Sequence, residues 1–223
     1  GWIAAATMLL GVLGAAYHWD MRRILSFHII SQVGYMLLGL ALWTPLALAG
    51  AVFYLVHHMI VKANLFLVSG LSRDCSGTLE LPAMGGLYGA KPFLAVLFFI
   101  PAFSLAGFPP LSGFWAKLLV IQSSLEAEHY TVAAVAVLVG LMTVYSMVKI
   151  WNEAFWKPLP ASGSGVAPVA HAAWKMTPVC VLALITLSIG IGAEPLFQLA
   201  DAAARELMAP QIYVQAVLGG AGP

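Results

Sequence analysis

Ser104–Lys117 reads SLAGFPPLSGFWAK. It places a lysine a few residues past a Gly-Phe-Pro-Pro break, inside an apolar run too long to be one straight membrane helix. From Pro92 to Leu125 the chain is almost continuously apolar. As a single α-helix these roughly 34 residues would reach about 51 Å at 1.5 Å per residue, against a hydrocarbon core of about 30 Å. Pro109 and Pro110 remove two backbone donors and disfavour helix in the residue before them. Gly107 supplies the flexibility such a break needs. Broken backbone at membrane depth survives only where protein buries it or where it lines a wet cavity. A lysine beside it, Lys117, is therefore a candidate functional residue.

The rest of the composition agrees with a membrane setting. The 223 residues are 61% hydrophobic and only 9% charged, whereas soluble domains carry about 25% charged residues. The expected class is an all-α polytopic membrane protein. A formal net charge of +1 selects no acidic partner. Cys75 and Cys180 show neither metal-ligand spacing nor a redox motif. The chain opens Gly-Trp, without Met, signal peptide or basic n-region, and reads as the C-terminal portion of a longer protein.

Outward from the break, periodicity and turn residues predict about six spans. The first is Trp2–Tyr17, whose Gly11 and Gly14 suit close helix contact. After the charged turn HWDMRR comes Ile24–Trp43, with a polar stripe of His28, Ser31, Gln32 and Tyr35 at helical spacing. Thr44-Pro45 ends it. Leu46–Leu71 carries Tyr54, His58 and Lys62 at successive i+4 positions, with His57 beside them and pointing off that stripe. Ser72–Ala90 is expected as a loop. The broken span 92–125 follows, interrupted near 107–110. Thr131–Ile150 is next, then a Pro-Ser-Gly connection, PLPASGSGVAP, and the last span, Ala172–Ala193. Residues 194–223 are expected as an interfacial helix and a tail. Within them, Leu196, Leu199, Ala203 and Leu207 lie opposite Asp201, Arg205 and Glu206.

Charge placement orients these spans. With six crossings, alternate loops share a side. Of ten lysines and arginines, Lys62 and Lys117 fall inside spans. Arg22, Arg23, Arg73, Lys91, Lys149, Lys157 and Lys175 collect on one side, and Arg205 is alone on the other. The positive-inside rule makes the basic side cytoplasmic, so both ends of the segment lie outside.

Two lysines and a histidine pair within spans are costly to bury. Histidine titrates near neutral pH, and an amine removed from water can do the same. Lys117, Lys62 and His58 are thus candidates for a proton relay, with His57, Tyr54, His28, Ser31, Gln32 and Arg22 in support. Packing alternatives stand beside that reading. Lys62, expected about 14 Å from the cytoplasmic end of its span, can snorkel to the headgroups. Lys117 can cap carbonyls freed by the break. His58, and the stripe on the second span, can serve as hydrogen-bonding glue between helices.

Three stretches carry a family resemblance: DMRRILSFHIISQVGYM, HHMIVKANLFLVSG and AGFPPLSGFWAK. Together they resemble the antiporter-like subunits shared by Mrp-type multisubunit sodium/proton antiporters, respiratory NADH dehydrogenases and membrane-bound hydrogenases. WNEAFWKP and the tail PLFQLADAAARELMAPQIYVQAVLG are most similar to the D-type branch of the Mrp antiporter subunits. The resemblance implies a fold of fourteen spans with two inverted five-helix repeats, of which this chain would supply the second repeat and the last helix. Lys117 then matches the lysine of the second broken helix and Lys62 that of the preceding helix. His58 and Tyr54 match polar positions one and two turns earlier. Asp20-Met21-Arg22-Arg23 stands where many members have Asp-x-Lys-Arg. Arg22 stays protonated, so it can shape the local field but is a poor proton carrier. The first repeat, with its glutamate–lysine pair, is absent, so this segment alone is not expected to transport.

The function expected is part of a membrane subunit of a cation/proton antiporter in the cell membrane, exchanging protons for sodium or another monovalent cation among other subunits. The alternatives are a proton-pumping subunit of a redox complex and a membrane scaffold whose relay residues are vestigial. No hydrolase, phosphate-loop or metal-ligand pattern is present, and no cofactor, metal or nucleic-acid partner is expected.

Overall fold

The structure is a computed structural model that describes residues 1–160, 166–167 and 172–209, together with 211, 214, 217 and 219. Among these the architecture is all-helical. The expected connection at 161–165 and 168–171, and most of the tail beyond 209, lie outside the described residues.

Helix α1 spans Trp2–Tyr17 and α2 Met21–Leu42. They pack at backbone distance because their contact face is small. A Cβ on Gly11 would stand 2.3 Å from the Ser31 nitrogen, and the Ser31 hydroxyl donates across the gap to the Met8 carbonyl at 3.0 Å. Helix α2 starts three residues earlier than hydrophobicity alone suggests. The Asp20 carboxylate accepts from the Arg23 amide at 2.8 Å, which caps a first turn containing two arginines.

Thr44 caps α3 in the same way, and Pro45 occupies its first position, where a missing N–H is harmless. Helix α3, Pro45–Ser76, has 32 residues, about 48 Å at 1.5 Å per residue. It is the central element, packed against α2, α5, α6, α8 and α9. The loop expected from Ser72 therefore begins only at Gly77, whose left-handed backbone (φ 73°) closes the helix. The last turn is polar yet still helical, and Ser72, Cys75 and Ser76 in it are buried. The connection that follows holds a 3₁₀ turn at Leu81–Ala83 and the short α4, Leu87–Ala90.

The long apolar run is two helices, α5 (Pro92–Ala106) and α6 (Ser112–Glu126). Gly107 (φ 92°) ends the first. Helix α7, Tyr130–Ile150, continues as a π-helical turn over Trp151–Trp156. There Phe155 stacks on Phe98 with ring centroids 4.8 Å apart. At the end of α7, the Lys149 ammonium donates to the carbonyls of Ala16 (2.8 Å) and His18 (2.6 Å) at the end of α1, and lies 4.8 Å from the Trp19 ring centroid. A cation there complements the negative end of α1.

Helix α8 spans Ala172–Ile191. Near its end the Gly190 carbonyl accepts from the Trp115 indole at 2.9 Å. Helix α9, Glu194–Met208, is strongly amphipathic and turns small residues to the bundle. Ala200 and Ala204 are buried, while Leu199 and Leu207 are exposed. Small residues let α9 lie close to α3, and the leucines point outward from the bundle.

Among the described residues four stretches are long and apolar enough to cross a membrane: Met21–Leu42, Pro45–Ser76, Tyr130–Trp156 and Trp174–Ile191. Trp2–Tyr17 and Pro92–Ala106 are shorter apolar helices. Large apolar side chains such as Trp2, Leu10, Leu141 and Leu184 stand on the outside, as they do in a bundle solvated by lipid.

Candidate functional site: buried lysines around a broken helix

The site is built where α3 and α2 meet the break between α5 and α6. Ser104 and Ser112 flank that break. Their hydroxyls are 3.0 Å apart, and the Ser104 hydroxyl accepts from the Gly113 amide at 3.2 Å. The His57 Nδ1 lies 2.8 Å from the Ser112 hydroxyl. Only glycine fits at 113. A Cβ there would come within 1.8 Å of the Ser104 carbonyl oxygen and 3.0 Å of the His57 ring. His57 lies beside the Tyr54–His58–Lys62 stripe rather than on it. The broken helix packs on the neighbouring face of α3, so His57 meets the break directly.

Tyr54 stands one turn earlier on α3. Its ring stacks on Tyr35 of α2 (centroids 5.2 Å, 17°) and meets His57 edge-on at 5.8 Å. Its hydroxyl donates to the Gln32 side-chain oxygen, and the Tyr35 hydroxyl donates to the Ala136 carbonyl of α7 at 2.5 Å. The stripe of His28, Ser31, Gln32 and Tyr35 is wholly buried. Ser31 and Tyr35 bond to neighbouring helices, and Gln32 bonds into the site.

The Lys117 ammonium donates to the Ala106 carbonyl at 3.0 Å and sits 5.5 Å from the Tyr35 ring centroid. It thus occupies the end of α5, where the break frees carbonyls. The side chain is 7% exposed. A cavity of about 330 Å³, walled by Gly107, Pro109, Lys117 and Gly140 among others, opens at it between the break, α6 and α7. Pro110 lies on the opposite side of the break, against α8, where a Cβ on Gly190 would come within 2.5 Å of its carbonyl.

Lys62 is 5% exposed and donates to the Leu25 carbonyl of α2 at 2.9 Å. Helix α3 runs 14 residues past it, about 21 Å, and its ammonium is spent on a buried carbonyl. His58 lies a turn away. Its Nε2 and both ring nitrogens of His28 make no hydrogen bond among the described residues. Along α2, His28 stands between Leu25, whose carbonyl holds Lys62, and Tyr35, whose ring faces Lys117. All three ion pairs among the described residues lie near the surface, and no carboxylate among them neutralises Lys62 or Lys117.

Arg22 is not part of this group. It is exposed and opens into a separate cleft with Arg73 and Lys175. Reading the sequence alone does not single out Ser104, Ser112, Gly113 or the buried Asn64, whose side-chain amide makes no hydrogen bond among the described residues. The signal it does offer is two serines eight apart across the Gly-Phe-Pro-Pro break.

Residues 1–143 match the family described as NADH:quinone oxidoreductase/Mrp antiporter, TM. The chain is 46% identical over 220 residues to the D subunit of the Na(+)/H(+) antiporter of Alkalihalophilus pseudofirmus, covering 97% of this chain and 43% of that protein. It is 35% identical over 224 residues to the D subunit of the Na(+)/H(+) antiporter of Bacillus subtilis, covering 97% and 44%. Among solved structures it is similar to a chain of the Mrp complex from Dietzia sp. DQ12-45-1b (TM-score 0.86, 37% identity, 97% of this chain and 49% of that one). It is also similar to a chain of respiratory complex I from Thermus thermophilus (TM-score 0.79, 29% identity, 92% and 43%). The chain therefore spans somewhat less than half the length of the relatives it matches. On the sequence match over residues 1–143, this chain belongs to the transmembrane family of NADH:quinone oxidoreductases and Mrp antiporters.

Proposed function

We propose that this chain is part of the membrane subunit of a multisubunit cation/proton antiporter, and that Lys117, His58 and Lys62 hand protons through it. The observation that carries the reading is the pair of buried lysines without carboxylates. Each ammonium donates to a backbone carbonyl, Leu25 for Lys62 and Ala106 for Lys117, so its proton is not locked in an ion pair. An isolated buried charge is too costly to persist as packing alone. The same buried region holds His28, His57 and His58, together with a tyrosine pair and two serines. Histidine can both take up and release a proton near neutral pH. Buried polar atoms without a protein partner are where water is retained, and His28, His58 and Asn64 offer such atoms.

In this scheme Lys117 exchanges protons through the cavity at the break, and Lys62 with His58 links it to the opposite half of the membrane. Six crossings, formed by α1, α2, α3, the α5–α6 pair, α7 and α8, put the seven basic residues at helix ends and connections on the cytoplasmic side. Both ends of the segment then face outward in the cell membrane. Similarity to the D subunits of sodium/proton antiporters supports sodium or another monovalent cation as the counter-ion, and other subunits of a complex as partners.

The test is Lys117→Ala in the full-length protein within its complex, assayed for cation-driven proton movement in inverted vesicles. Exchange falls to background while assembly stays normal. Undiminished exchange at normal expression would falsify the assignment. A second reading, a proton-pumping subunit of a redox complex, is favoured by the likeness to the complex I chain. Co-purification of flavin or iron–sulfur subunits with the full-length protein would select it.

A further inference from the structure

The cleft that holds Arg22 is separate from the lysine site and has its own chemistry. Its cations come from three helices: Arg22 from the first turn of α2, Arg73 from the last turn of α3 and Lys175 from the first turns of α8. The cavity they line is about 330 Å³. Lys175 pairs with Asp74 at 2.5 Å. Among the described residues neither Arg22 nor Arg73 has an ion-pair partner. Three cations and one carboxylate leave a net charge of +2.

Depth identifies the ligand. Arg73 lies 28 residues beyond Pro45, about 42 Å along α3, which is headgroup depth on the far side of a hydrocarbon core of about 30 Å. Leu67, six residues earlier, lines the same cleft at about 33 Å, where acyl chains begin. Trp174, 84% exposed, stands at its rim, as aromatic side chains do at the membrane–water boundary. Cations at headgroup level above apolar walls fit an amphiphile with an anionic head.

We infer that this cleft binds an anionic glycerophospholipid, with Arg22 and Arg73 on its phosphodiester and its acyl chains passing Leu67 and Trp174. The inference rests on the membrane-spanning fold and is independent of the proton relay. Lys175, already paired, contributes less than the two guanidiniums, which can grip a phosphate bidentately.

The experiment uses the full-length protein within its complex, in nanodiscs of phosphatidylcholine doped with increasing phosphatidylglycerol. Anionic lipid retained per complex after a detergent wash is counted by mass spectrometry. The wild type retains phosphatidylglycerol in preference to phosphatidylcholine. Arg22→Gln with Arg73→Gln needs about 30-fold more phosphatidylglycerol for half-retention, whereas Arg→Lys at both positions stays within a few-fold of wild type. Gly70→Leu provides a variant with every charge intact. A Cβ at Gly70 meets nothing within 4 Å, so the larger side chain enters the cleft and displaces the lipid. Equal retention by the Gln pair overturns the proposal. So does complete displacement of lipid by millimolar inorganic phosphate, which makes the cleft a site for a free anion. Loss of another protein chain rather than lipid in the Gln pair identifies a protein interface and also overturns it.

Discussion

The two buried lysines have similar burial and similar bonds, yet they sit in opposite kinds of backbone. Lys62 projects from an unbroken helix and donates to the carbonyl of Leu25, within the helical stretch of α2. Lys117 stands on the helix that begins after a break and donates to Ala106, in the last turn of α5. It also has an aromatic face and an open cavity beside it. A carbonyl at a broken helix end lacks an intrahelical donor, so Lys117 fills a need that Lys62 does not. A static cap and a proton carrier both account for an ammonium at 117, while at 62 no backbone deficit explains its presence.

Arginine separates these roles most sharply. It can still donate to the Ala106 carbonyl but holds its proton permanently. Lys117→Arg is expected to assemble normally and lose cation/proton exchange by more than about tenfold, because the guanidinium cannot cycle. Retained exchange in vesicles would reduce Lys117 to a cap. On the other side of the comparison, His58→Ala with Lys62→Ala lowers exchange several-fold and alters its pH profile, since removing titrating groups changes which protonation steps limit the flux. An unchanged rate and profile would leave Lys117 without its proposed inner partners.

The break itself can be attacked without touching a lysine. Gly113→Ala forces a methyl group against the Ser104 carbonyl, and overpacking of this kind costs about 1–3 kcal/mol. The complex should melt several degrees lower and lose exchange partly. The smallest effect is expected of Tyr54→Phe, which removes one hydrogen bond to Gln32 but keeps the stack on Tyr35. A buried neutral hydrogen bond contributes about 1 kcal/mol, so the melting temperature moves slightly and exchange stays within about threefold of wild type.

The break is legible without coordinates because length and proline chemistry are local. An apolar run that overshoots the bilayer and contains Gly-Phe-Pro-Pro has few other solutions. The lysine beside it stands out for the same reason. What the chain in isolation does not display is which faces of separate helices meet. On a helical wheel of α3 His57 falls beside the Tyr54–His58–Lys62 stripe, and only the docking of Ser112 shows what it meets. The face of α9 that meets the bundle is not displayed either, because the buried Ala200 and Ala204 do not stand out in a hydrophobic pattern. The extension of α3 to Ser76 is invisible because a polar last turn and a loop have the same composition.

The Lys149 ammonium, seated on the last carbonyls of α1, joins the end of the seventh helix to the end of the first. Two hydrogen bonds tie these helix ends together, so neither end moves away from the other without breaking them.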